Sequence, residues 1–94
     1  MEIYYYKPNY RQDTDIICVV LNKKDSYCIF YDFKNGTATR QKHTPEYLMQ
    51  KYVRNPNNYK LINAANARIQ IVDNDLEMHL PIVQASLTFN QKLL

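Results

Sequence analysis

Apolar positions fall into short blocks whose period changes along the chain. Glu2–Tyr6 is aromatic and β-forming, and predicts a strand that Lys7-Pro8-Asn9 ends. Residues 10–15 are a polar loop. Ile16–Leu21 (IICVVL) is an unbroken apolar run, rich in β-branched residues and too short for a core helix. It predicts a buried central strand. After the loop Asn22–Ser26, Tyr27–Phe33 and Thr37–Lys42 read as two strands joined at Asn35-Gly36. That dipeptide tolerates the positive φ angles of a type I′ turn.

Two registers follow from these loops. With Asn35-Gly36 at the turn centre, Phe33 faces Ala38, Asp32 faces Thr39 and Tyr31 faces Arg40. With Asn22–Ser26 as the intervening loop, Leu21 faces Tyr27, Val20 faces Cys28 and Cys18 faces Phe30. One sheet face then carries Ile16, Cys18, Val20, Cys28 and Phe30, a core face. The other carries Ile17, Val19, Tyr27, Ile29, Tyr31, Arg40 and Lys42, a mixture of apolar, aromatic and basic groups. Cys18 and Cys28 become diagonal neighbours on the core face. That spacing is poor for a disulfide, so the expectation is two buried, reduced, slow-reacting thiols.

At Thr44-Pro45-Glu46 the period changes. Thr44 suits an N-cap, Pro45 the first helical position and Glu46 the positive end of the helix dipole. The helix is expected to run to about Arg54, where Asn55-Pro56-Asn57-Asn58 breaks it. Pro45, Leu48, Met49, Tyr52 and Val53 share its core face, and Tyr47, Lys51 and Arg54 share an outer one. Beyond it, Tyr59–Ile62 reads as a short strand. Residues 63–66 match no single pattern. Arg68–Val72 alternates and reads as a strand, Asp73-Asn74-Asp75 as a turn, and residues 76–80 as a returning strand. From 82 to 93 the pattern fits both a strand and a helix, and the strict alternation of Val83, Ala85, Leu87 and Phe89 favours the strand. The expected fold is one α+β domain over residues 1–94: an antiparallel, meander-rich β-sheet with one short helix at about 44–54.

Composition narrows the classes. The hydrophobic fraction is 46% and the charged fraction 22%, a globular balance. No apolar run reaches the ~18–20 residues of a membrane span. The N-terminal residues lack the pattern of a signal peptide, and two cysteines are too few for a disulfide scaffold, so a reduced, cytoplasmic setting is expected. Tyrosine, asparagine, lysine and isoleucine are abundant. Their codons are AT-rich, which points to a low-GC bacterium or its phages and plasmids. The net charge is +3, but residues 1–33, 34–68 and 69–94 carry −1, +6 and −2 in turn.

Candidate chemistry is sparse. Neither cysteine has an activating base in its motif, and no serine lies in a nucleophile-elbow setting. One glycine cannot build a phosphate cradle. Asp73, Asp75, Glu77 and His79 have the spacing of a hard-metal strand, but the turn at Asp73–Asp75 breaks the alignment, and the run reads as a solvated hairpin edge. Arg40, Lys42, His43 and Tyr47 resemble an RNase set only in residue type. These considerations leave a non-catalytic binding protein with no metal or other cofactor. Its expected partner-binding residues are Tyr31, Arg40, Lys42, Tyr47, Lys51 and Arg54. The leading expectation is a phage- or plasmid-encoded regulator or inhibitor, of anti-defence type, that binds a host protein or complex. The alternative is nucleic-acid binding through the basic residues 34–68, with tyrosines stacking on bases.

Overall fold

A computed structural model describes residues 1–10 and 13–81. The chain forms strands β1 (Glu2–Pro8), β2 (Ile16–Leu21), β3 (Tyr27–Asp32) and β4 (Thr37–Lys42), then helix α1 (Pro45–Leu48) continuing as a π-helical turn (Met49–Val53). Strand β5 (Tyr59–Ile62), helix α2 (Ala64–Asp73) and a 3-10 turn (Glu77–His79) follow. The strands make one five-stranded antiparallel sheet in the order β4-β3-β2-β1-β5. Strands β1 to β4 are a meander, as the pattern predicts. The chain then crosses one sheet face through α1 to place β5 against β1. The expected strand in residues 82–93 lies outside the described residues.

The apolar run sets the layering. All six residues of β2 are buried, so both faces of the sheet are core. On one face Ile17, Val19, Leu21, Cys28 and Tyr6 pack against Leu48 and Tyr52 of the first helix and its π turn. On the other, Tyr5, Ile16, Cys18, Val20, Ile29 and Tyr31 pack against Ala67 and Ile71 of α2 and against Leu76. The tyrosines are largely structural: Tyr52 stacks on Tyr6 (6.4 Å) and meets Tyr59 edge-on (4.7 Å). The Tyr31 hydroxyl donates to the His79 carbonyl at 2.8 Å, tying the 3-10 turn to the sheet.

Both predicted registers are corrected. Strand β2 pairs with β3 one residue away from expectation: Val20 faces Tyr27, Val19 faces Cys28 and Cys18 faces Ile29. Ser26 is the reason. Its hydroxyl accepts from the Asn22 N–H (2.9 Å) and donates to the Asn22 carbonyl (2.7 Å). That closes the loop across Asn22–Asp25 and puts Ser26 in line with the strand. A one-residue slip exchanges faces, so Tyr27, Ile29 and Tyr31 join the face of Cys18, and Cys28 and Phe30 leave it. The second hairpin slips by two, with Asp32 facing Thr37, Tyr31 facing Ala38 and Ile29 facing Arg40. There the Asp32 carboxylate accepts from the Asn35 amide N–H (3.1 Å) and side-chain N–H (2.7 Å), which closes a four-residue loop, and Gly36 takes φ +66°. An even slip keeps the faces but moves Arg40 away from Tyr31.

The helix at Thr44 forms as its residues imply. Thr44 Oγ accepts from the Tyr47 N–H (3.2 Å), and Pro45 opens the first turn. Leu48 and Tyr52 are buried and Met49 half-buried. The last turn widens, with the Arg54 N–H donating to the Met49 carbonyl (2.9 Å). Residues 64–73 differ from expectation: they are helix, not a strand at Arg68–Val72. Asn63 caps that helix by accepting from the Asn66 N–H (3.0 Å). The buried pair Ala67 and Ile71 has the i, i+4 spacing of a helix face, while Ile69 is exposed. The Asp73–Asp75 turn is present, but it closes the helix. The Asp75 N–H donates to the Val72 carbonyl (2.9 Å) and the Leu76 N–H to the Ile71 carbonyl (3.0 Å), a Schellman ending. Residues 77–79 form a 3-10 turn where a returning strand was expected.

Two stability measurements check this packing. Leu48→Ala removes a fully buried side chain and is expected to cost ~2–5 kcal/mol in urea unfolding. Asp75 holds φ 61° at the position after the α2 cap, where glycine carries no Cβ penalty. Asp75→Gly is therefore expected to stabilise by roughly 0.5–1 kcal/mol, and a loss of stability would contradict the ending described.

Candidate partner-binding surface

The meander places the β2–β3 loop and the last residues of β4 at the same end of the sheet. The His43 N–H donates to the Ser26 carbonyl at 3.2 Å, which fixes this alignment. Lys23 and Lys24 of the loop thereby meet Lys42 and His43, around a hollow of about 350 Å³ that Thr44 and Pro45 complete. From this corner the surface continues onto the helix. The His43 ring stacks on Tyr47 with centroids 4.2 Å apart. Tyr47, Gln50 and Lys51 then line a shallow groove with Glu46. Among the described residues no carboxylate pairs with Lys23, Lys24, Lys42 or Lys51. The result is a continuous basic strip with an aromatic pair at its centre.

The six residues singled out from the sequence divide. Lys42, Tyr47 and Lys51 lie in the strip. Arg54 is exposed at the far end of the helix, beyond the groove. Arg40 shares the α2 side of β4 with Lys42 but lies one pair further from the corner, its guanidinium 3.6 Å from the Tyr27 ring centroid and 2.9 Å from Asp25 Oδ2. It borders a separate cleft of about 380 Å³ under the 3-10 turn, with Asp25, Tyr27 and His79 among its walls. Tyr31 is corrected: it is 0% exposed and belongs to the core. The one-residue slip at Ser26 turned its ring onto the α2 face. Lys23, Lys24, His43 and Gln50 were missed. The two lysines sit in a segment of negative net charge, so a charge count by stretch hides them. The meander itself was the available signal, because it returns β4 to the β2–β3 loop.

Buried polar groups elsewhere are structural. Cys18 and Cys28 lie on opposite faces of the sheet, both free and both 0% exposed. Burial pushes the Cys18 thiol up to about 12 and raises that of Cys28. Burial likewise raises Tyr5, Tyr31 and Tyr52. The Tyr5 hydroxyl has no hydrogen-bond partner among the described residues. Those residues also contain no cluster of three or more metal-ligating side chains, and no helix long and apolar enough to cross a membrane.

Fold and surface define a small α+β protein whose most distinctive exposed feature is a basic, aromatic-centred strip. Comparison with protein-family models, curated proteins and solved structures finds no match to this chain.

The raised thiols and phenols make a pH prediction. They are neutral in the folded state at pH values where the unfolded chain already ionises. The unfolded state therefore binds fewer protons above pH 9, the ordinary thiol value, and stability falls from there upward. The slope from Cys18 alone approaches ~1.4 kcal/mol per pH unit between the two thiol values. Urea midpoints measured from pH 8 upward are expected to drop in that window. Cys18→Ala should flatten the drop.

Proposed function

We propose that this chain is a non-catalytic binding protein that covers an acidic surface of a partner protein with the strip Lys23, Lys24, Lys42, His43, Tyr47 and Lys51. The single observation that carries this reading is the contiguity of that strip. Four lysines with no carboxylate partner among the described residues and a stacked His43–Tyr47 pair run from one corner of the sheet onto the helix. Tyrosine anchors ringed by charge are the composition of interface hot spots. An acidic partner follows from the sign of the charge, which also steers encounter.

Availability of the tyrosines favours a protein over a nucleic acid. Stacking on bases needs open ring faces. Tyr31 is in the core and Tyr27 has Arg40 over its ring, so the sheet offers no row of platforms. The biological form of this reading is an inhibitor of a host complex, encoded by a phage or plasmid and acting in the cytoplasm. Its support is the AT-rich residue usage, together with two free buried thiols.

The test is capture from a low-GC bacterial lysate with and without nuclease, alongside titration with single- and double-stranded oligonucleotides at low salt. The expected result is a defined protein retained after nuclease treatment. It should be lost by the Tyr47→Ala, Lys51→Glu double variant, which should keep nearly wild-type stability because exposed charges contribute little. Retention that vanishes with nuclease, with oligonucleotide affinity falling steeply as salt rises, would assign the strip to nucleic acid and overturn the proposal.

A further inference from the structure

Among the described residues, strand β4 is an outer edge of the sheet. Its ladder with β3 can be phased from the bond between the His43 N–H and the Ser26 carbonyl. Paired positions alternate from there, so Gln41, Thr39 and Thr37 turn their backbone polar groups toward β3. Ala38, Arg40 and Lys42 turn theirs outward, and among the described residues no strand pairs with them. The opposite edge, β5, is four residues long against six for β4. Between Thr37 and Lys42 there is neither a proline nor an acid. Both would discourage an added strand.

Basic side chains often guard an exposed edge. Arg40 does not do so here, because its guanidinium folds back over Tyr27 and onto Asp25. An exposed ion pair of this kind is weak, so Arg40 keeps donors for a second carboxylate. The sheet also sorts the side chains. Ala38, Arg40 and Lys42 oppose Tyr31, Ile29 and Tyr27, which pack on the α2 side. Thr37, Thr39 and Gln41 lie on the other. A strand added to β4 would meet two cations on one side and small polar groups on the other. A second copy fits poorly. Edge-to-edge antiparallel pairing that uses all three outward residues sets Arg40 opposite Arg40, and like charges so placed repel.

We propose that β4 receives a sixth strand from the acidic partner: an extended segment with carboxylates on alternate residues, facing Arg40 and Lys42, and β-branched residues between them. Backbone hydrogen bonds give the affinity and the alternate carboxylates the selectivity. This inference rests on the acidic-protein reading above and adds which element of the partner is held.

The probe is a synthetic peptide of about eight residues alternating glutamate and valine, long enough at ~3.3 Å per residue to span the edge. Amide exchange is followed by NMR in the full chain. Free protein is expected to exchange Ala38, Arg40 and Lys42 quickly and Thr39 and Gln41 slowly. Millimolar peptide should slow the first three by about tenfold or more. The same peptide N-methylated at alternate amides should not, nor should one with lysine in place of glutamate. The Tyr47→Ala, Lys51→Glu variant should respond as wild type does. No slowing, equal slowing by the N-methylated peptide, or loss of the response in that variant would overturn the edge assignment. Protection of the three amides in free protein would also overturn it, and protection that grows with protein concentration would give the edge to a second copy. If the peptide fails while the double variant still loses the lysate partner, the strip reading stands and the edge assignment alone falls.

Discussion

Burial of β2 on both faces is the constraint on which the rest of this protein depends. Six consecutive apolar residues cannot sit in a sheet that shows one side to water. Each face must be covered, and the chain is short. It does so with two brief helical segments, one per face, each pressing only a few large side chains against the sheet. Leu48 and Tyr52 serve one side; Ala67, Ile71 and Leu76 serve the other. Neither helix would persist alone at such a length. Their stability comes from the sheet they cover, and that of the sheet from them.

The same constraint accounts for the tyrosines. A small core with few leucines needs large side chains to fill it, and Tyr5, Tyr6, Tyr31 and Tyr52 do so. The Tyr31 hydroxyl reaches the His79 carbonyl, whereas the buried Tyr5 hydroxyl has no hydrogen-bond partner among the described residues. Four of the nine tyrosines are therefore interior, and three more are half-buried. Among the described residues the exposed tyrosines are Tyr10 and Tyr47, and Tyr47 is the one stacked on His43.

Covering both faces also leaves the polar surface groups at the margins of the sheet. Helices occupy the broad surfaces, so the corner where the β2–β3 loop meets the end of β4, the outer helix surface beyond it and the β4 edge are among the exposed features. Lys42 belongs to both the corner and the edge. In the proposed complex a strand laid along β4 would for that reason run toward the basic corner.

Local signals determined much of this. The β-branched run, the Thr44-Pro45 helix start and the two hairpins were legible because capping, turn chemistry and side-chain period act over a few residues. From them came the α+β class, the meander, the first helix and the outer positions of Tyr47 and Lys51. Tertiary structure decided what local period could not. Whether Ser26 ends the loop or begins the strand is a matter of one hydrogen-bonded closure, yet it sets the face of Tyr27, Ile29 and Tyr31. The alternation of Ile69 and Ile71 suggested a strand, but the exposed second face of the sheet needed a cover, and Asn63 and the Asp75 turn supplied caps for a helix. Lys23 and Lys24 joined Lys42 because a folded meander brings distant residues together, a relation that no count of charge along the chain contains.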